Sequence, residues 1–290
     1  LEEIAMYEDR PSFKVFEEGN KRYFRGHPLG NSVLGSEASI RELRREDMLA
    51  YFAARYAPNN LIVTLSGRYS WDERLTQLEQ LTSAWQPQGC PRAYPELQAA
   101  SGAERLGSAK FKRVHVAAYA PGVSASDPLR YAAATLASCL GDSRGSRLYW
   151  ALVDNGLADS ASLSHDSADG TGTFVGYLSF APGEARRVLD IFKATLQEAQ
   201  DEGLTQEEWE RAQRKLATGL TLSGETPFGR LMSLGTSYMY LKDYQSVAGL
   251  VEGIMATSLK DAARLLAEKP FDRLFVTVLG PELEGLSQVS

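Results

Sequence analysis

Ala57-Pro58-Asn59-Asn60-Leu61-Ile62-Val63-Thr64-Leu65-Ser66-Gly67 returns near the other end of the chain as Phe271-Asp272-Arg273-Leu274-Phe275-Val276-Thr277-Val278-Leu279-Gly280. Each copy is a short apolar run rich in β-branched residues and closed by glycine, the pattern of a buried strand. Each follows a helix-forming segment, Arg45 to Phe52 before the first and Leu259 to Leu266 before the second, with Asp47 and Asp261 in the same helix-start register. A recurrence this widely spaced is too long for a solenoid repeat and predicts two homologous domains in tandem.

A chain of 290 residues is long enough for two domains that each bury a core. Its hydrophobic fraction of 43% and charged fraction of 23% are those of a globular protein. No apolar run approaches the ~20 residues needed to cross a bilayer. A net charge of −6 leaves no basic footprint, so neither nucleic acid nor an anionic membrane is an expected partner. Cys139 shares a helical stripe with Leu129, Ala132 and Leu136, Cys90 lies in a loop, and neither has the spacing of a disulfide framework or metal site. The chain begins at Leu1 with neither Met nor signal sequence, which, for a fragment, says nothing of compartment.

Leu1 to Pro11 favours helix by composition, with Pro11 as its stop, and reads as the last turns of a helix that begins upstream. Its carboxylates Glu2, Glu3, Glu8 and Asp9 read, by themselves, as a solvated face. Residues 12 to 35, with Arg25-Gly26-His27-Pro28-Leu29-Gly30 and Gly35, carry loop chemistry. His27, His115 and His165 lack a partner at ligand spacing and are expected to be structural. Ser36 to Tyr56 is expected to be helical, and Leu75, Leu78, Leu81 and Trp85 predict a helix packed on the first sheet. Residues 86–109, with Pro87, Gly89, Pro91, Pro95, Gly102 and Gly107, read as a linker. This divides the chain into 1–85, the linker, and 110–290.

The second domain opens on an expected strand from Phe111 to Tyr119, followed by helices at Asp127 to Leu140 and Ser146 to Asp154. Asp169-Gly170 marks a hairpin whose second strand sets Phe174, Leu178 and Phe180 on one face. One helical stripe runs Val188, Ile191, Phe192, Thr195, Leu196, Ala199; the next runs Trp209, Ala212, Leu216, Leu220, behind a capping box of Thr205 and Glu208. A kink is expected at Gly224-Glu225-Thr226-Pro227. Paired strands, paired helices and a returning strand describe an α+β fold, a mainly antiparallel sheet with helices on one face.

Leu1 to Pro11, Gly26-His27-Pro28-Leu29-Gly30 with Gly35, Tyr56 to Leu61, Ser146-Arg147-Leu148 with Gly156-Leu157-Ala158, and Gly224-Glu225 occur in an order and spacing that resemble the pitrilysin/insulinase family of zinc metallopeptidases, the inverzincins, in their short bacterial and mitochondrial-processing-peptidase-like branch. The resemblance covers nearly the whole chain. It implies two homologous α+β domains. It also implies a zinc held by a His-x-x-Glu-His helix together with a glutamate on a later helix, the motif glutamate activating the bound water. That later glutamate corresponds to Glu3, or to Glu2 if the register shifts by one.

No His-x-x-Glu-His occurs in the sequence, and the family places it upstream of Glu3. One carboxylate does not hold zinc at useful affinity, so the 290 residues by themselves are expected to be metal-free and inactive, with no catalytic residue and no cofactor-binding residue. The first domain is expected to be incomplete at its N-terminus. Some relatives carry an arginine and a tyrosine where Val153 and Asp159 stand here, which implies a homo- or heterodimer with a homologous subunit supplying that pair. The resemblance thus implies part of a zinc endopeptidase or oligopeptidase that closes around unfolded peptides, in bacterial cytoplasm or periplasm. The alternative is a non-catalytic scaffold or peptide-binding subunit of the same family.

Overall fold

The structure, a computed structural model, describes residues 1–92 and 94–281. Five helices occupy the first third of the chain: α1 (Glu2–Glu8), α2 (Pro11–Tyr23), α3 (Glu37–Glu42), α4 (Arg45–Arg55) and α5 (Trp71–Thr82). α1 ends at Glu8, ahead of Pro11 as expected, and Pro11 also starts a helix: it stands at the first position of α2, where its missing N–H costs nothing. The segment read as loop is therefore helical as far as Tyr23. The expected helix from Ser36 to Tyr56 is two, α3 ending where Leu43 turns extended and α4 starting with Asp47 Oδ2 accepting from the Arg44 amide at 3.3 Å.

One sheet follows, built from β1 (Gly102–Gly107), β2 (Val114–Gly122), β3 (Ser160–Ser167), β4 (Gly172–Phe180) and β5 (Phe275–Gly280). Its order is β1-β5-β2-β4-β3. Only the β1/β5 pair is parallel. β1 falls within the stretch read as linker: its burial alternates, and the glycines at its two ends hid a six-residue edge strand. The hairpin turns at Gly170, whose φ of +72° lies in the left-handed region that glycine favours.

The helices α6 (Arg130–Gly141), α7 (Ala185–Glu202), α8 (Gln206–Glu225), α9 (Pro227–Leu241), α10 (Val247–Met255) and α11 (Leu259–Ala267) complete the chain. The anticipated kink is a full break between α8 and α9. Val116, Val276, Val278, Phe174, Leu178 and Phe180 on one sheet face meet Leu136 of α6, Phe192 of α7 and Leu265 of α11 in a single core. Cys139 is buried in it, as its helical stripe predicts. In the segment expected to be one helix from Ser146, Tyr149–Val153 takes π-helical form.

The opposite face is not bare. α2 lies across it, burying Val15 and Tyr23 against Ala117, Tyr119, Phe275 and Leu279. Tyr23 stacks on Tyr119 with ring centroids 5.1 Å apart, and Tyr119 Oη donates to the Phe16 carbonyl at 3.1 Å. Burial pushes the Tyr23 hydroxyl up to about 12. Gly19 makes this approach possible, since a Cβ there would lie 2.6 Å from Tyr119 Oη.

The sequence repeat is wider than its strands. α9 starts, like α2, with Pro at its first position after an acidic and a polar residue (Glu225-Thr226 against Asp9-Arg10), and Gly235 stands eight residues beyond Pro227 as Gly19 stands beyond Pro11. α9 runs beside Leu61–Leu65, where a Cβ on Gly235 would lie 3.1 Å from Thr64 Oγ1. Leu61–Gly67 nevertheless forms no strand. No strand of the described residues lies beside it, so its backbone makes no ladder bonds among them, and Leu61, Ile62 and Val63 are 41%, 42% and 59% exposed. For the same reason α5 does not pack on a first sheet: Leu75 and Leu81 stay exposed.

Candidate functional site

Glu3 sits in the first turn of α1, a seven-residue helix that buries no side chain. It is exposed and makes no hydrogen bond or ion pair among the described residues. Tyr7 packs against Phe13, the tilted rings 4.3 Å apart between centroids, and so ties α1 to α2. No three His, Cys, Asp or Glu side chains among the described residues come together in a way that could hold a metal. Zinc needs at least three protein donors, and the donor set present here does not fit it.

The three histidines each have a local structural partner. His27 Nδ1 accepts from the Leu29 amide at 3.2 Å, and His165 Nε2 accepts from the Val123 amide at 3.2 Å. Burial pushes His165 down to about 4, so its ring is neutral at physiological pH. His115 Nδ1 lies 2.9 Å from Tyr177 Oη; burial first, and then the nearby Arg113 charge, lower its pKa. No histidine among the described residues bonds a serine, threonine or cysteine, so no nucleophile and base are paired.

Around His115 the half of the sheet face left open by α2 is polar. Arg113 pairs with Asp159, and Ser160, Ser162, Ser164 and Asp166 line the outward side of β3. Asp159 is thus committed to an ion pair, while Val153 packs against the core from the π-helical turn. Neither presents a free polar group of the kind an arginine or tyrosine would offer at those positions.

Behind the sheet, Arg147 makes three hydrogen bonds. Its Nε and Nη2 donate to the two Glu208 carboxylate oxygens at 2.7 and 3.0 Å, and Nη2 also reaches the Gly203 carbonyl at 2.9 Å. Burial pushes Glu208 up, but the bonds from Arg147 and Thr205 outweigh it and hold the carboxyl down at about 2. Glu208 is also the capping-box residue the sequence predicts, so one carboxylate fixes the start of α8 and anchors the Ser146-Arg147-Leu148 turn. That anchoring role was not legible in the sequence, because Arg147 and Glu208 lie 61 positions apart.

Residues 42–216 match the family model described as the peptidase M16 inactive domain. An uncharacterized zinc protease of Streptomyces coelicolor is 28% identical over 294 residues, which cover 97% of this chain and 63% of that protein. The chain thus spans about 63% of the length of this relative. The crystal structure of a peptidase M16 inactive domain from Pseudomonas fluorescens superposes with a TM-score of 0.86 at 18% identity, covering 96% of this chain and 67% of that one. A chain of complex III from Candida albicans superposes with a TM-score of 0.84 at 17% identity, covering 98% and 70%. These two likenesses show the same α+β fold. The match over residues 42–216, more than half of the chain, makes this protein a member of the M16 peptidase family, the pitrilysin/insulinase group that its motifs resemble.

Proposed function

We propose that the chain is the largely non-catalytic portion of a zinc-dependent peptidase of the M16 family, acting on unfolded peptides, with Glu3 as its one contribution to the metal. The observation that carries the reading is the inactive-domain match in a chain whose relative from Streptomyces is named a zinc protease. Glu3 supports it by standing exposed and uncommitted at the chain's α1 helix. The histidine donors would belong to a longer protein of the relatives' length. A homologous subunit, identical or paralogous, would complete the substrate-binding face where Val153 and Asp159 offer no free polar group. Among the described residues no nucleophile, base or metal donor set is assembled, and the 290 residues alone are expected to cleave no peptide.

The test is the zinc content and intact mass of the natural protein. About one zinc per chain, lost on Glu3→Ala while the thermal midpoint stays within ~2 °C, supports the assignment. A zinc content unchanged by Glu3→Ala removes Glu3 from the site. A natural protein that holds no zinc replaces the peptidase by a scaffold or peptide-binding subunit of the same family, a reading with which the complex III likeness in fold agrees.

A further inference from the structure

Between α2 and the β3–β4 hairpin lies a hollow of about 580 Å³. Phe16 and Leu29 wall it on the α2 side, Val175 of β4 forms its floor, and Tyr240 of α9 closes one end. Of the thirteen described residues around it only Asp166 is charged, and none is Lys, Arg or His. No ion pair among the described residues reaches Asp166; its polar contact is Ser164 Oγ at 3.5 Å, too long for a strong bond. Asn20 lines the same hollow.

The volume matches that of sites that hold small ligands or single side chains. An apolar guest alone would desolvate Asp166 and Asn20 without replacing their water, which is unfavourable for each polar group left unpaired and most of all for the carboxylate. An anion would face an uncompensated carboxylate in a chain of net charge −6. A long side chain with an apolar stem and a cationic tip satisfies both halves: the stem lies along Phe16, Leu29 and Val175, the tip meets Asp166, and the aromatic rings add favourable faces for a cation.

The geometry points to this hollow as a binding pocket for an arginine or lysine side chain of a bound peptide, with Asp166 as the residue that selects it. The inference rests on the peptide-binding reading proposed above, and it assigns that reading a side-chain preference.

The experiment uses the 290-residue chain and three fluorescein-labelled eight-residue peptides, identical except for a central arginine, norleucine or glutamate, read by fluorescence anisotropy. The arginine peptide is expected to bind about tenfold more tightly than the norleucine peptide, and the glutamate peptide more weakly still. Asp166→Asn should bring the arginine-to-norleucine ratio to within about twofold, and Asp166→Glu, which keeps the charge, should restore most of it. Free agmatine, which carries the same guanidinium without a peptide, is titrated while backbone amides of residues 164–168 are followed by NMR. Peptides that bind regardless of their central charge, or a ratio that survives Asp166→Asn, overturn the pocket while leaving peptide binding in place. Agmatine binding that depends on Asp166, with no peptide bound, keeps the cation pocket and overturns the peptide reading on which it was placed. No binding by peptide or agmatine overturns both.

Discussion

Leu61–Gly67 and β5 carry nearly the same sequence, Leu-Ile-Val-Thr-Leu-Ser-Gly against Leu-Phe-Val-Thr-Val-Leu-Gly counted from Leu274, and they meet opposite fates. Val276 and Val278 are 1% and 0% exposed in the middle of the sheet, bonded to β1 on one side and β2 on the other. Val63 is 59% exposed and its run has no strand of the described residues beside it. Both are preceded by a helix whose first-turn aspartate, Asp47 or Asp261, accepts from the N-cap amide, and by a 3-10 turn. The difference teaches that local sequence sets the readiness to be a strand, whereas the neighbours available decide whether the backbone pairs and the side chains are buried. The crossing helices repeat the lesson: α2 buries Val15 and Tyr23 on the complete sheet, whereas α9, of similar layout, buries no residue.

The largest expected effect compares the two strands directly. Val276→Asp puts a carboxylate into the central core and should cost about 4 kcal/mol or more, enough to unfold a marginal domain. Val63→Asp should stay within about 0.5 kcal/mol. Urea unfolding of both variants checks this. Equal losses would mean that Leu61–Gly67 is buried in solution and that the two copies are equivalent.

How much of this was legible follows the same divide. The hairpin at Gly170, the buried stripe of α6 and the capping box of Thr205 and Glu208 were readable because each is written within about ten residues, as turn chemistry, helical periodicity or a cap. Strand pairing was not. Nothing between Leu61 and Gly67 records that no strand stands beside them, and nothing between Gly102 and Gly107 records that β5 does. Pro11 was ambiguous for a sharper reason: proline ends one helix and starts the next, and here only one residue separates α1 from the cap of α2. The family was readable from short motifs at fixed spacing. Glu3 could be named from them, but its function depends on donors that this chain's described residues do not gather, and the Asp166 hollow is assembled from α2, the loop at Leu29, the hairpin and α9, whose proximity no local pattern encodes.

A second contrast sets ion pairs on the two sides of the chain against each other. Arg147 and Glu208 are both mostly shielded, whereas Arg41 and Glu37 form an i,i+4 pair in which both side chains are 63% exposed. Arg147→Ala leaves the Glu208 carboxylate half-buried without its main donor and should cost about 3 kcal/mol at neutral pH; Arg41→Ala should cost a few tenths, on the order of 0.3 kcal/mol. The pH dependence carries the sign. Glu208 titrates near 2 in the folded chain, below its ordinary value of 4.5, so its contribution is fully present above about pH 4.5 and is lost as the pH falls towards 2. Across that window the wild-type midpoint, followed by fluorescence of the buried Trp209, should fall more steeply than that of Glu208→Gln. Parallel slopes would show that Arg147 does not hold the carboxyl down.

The smallest and most discriminating effect lies at the two crossing-helix glycines. Gly→Ala inside a helix ordinarily gains up to ~1 kcal/mol from propensity alone. At Gly19 the new methyl would stand 2.6 Å from Tyr119 Oη and 2.7 Å from its ring. Tyr119 cannot withdraw, being fully buried, stacked on Tyr23 and bonded to the Phe16 carbonyl, so Gly19→Ala should lose a net 1–3 kcal/mol. At Gly235 the methyl would stand 3.1 Å from a single hydroxyl, that of the half-buried Thr64, on a run without ladder bonds to hold it. Thr64 can turn away, and Gly235→Ala should be neutral or stabilising by a few tenths, about 0.5 kcal/mol, in the thermal midpoint. The opposite signs are what an unequal pair of copies requires: the same helix position is intolerant where the sheet beneath is closed and tolerant where only an unpaired extended run lies beneath. A loss at Gly235 as large as that at Gly19 would mean that Leu61–Gly67 is held as rigidly as β2, and that whatever holds it also covers the exposed side chains of Leu61, Ile62 and Val63.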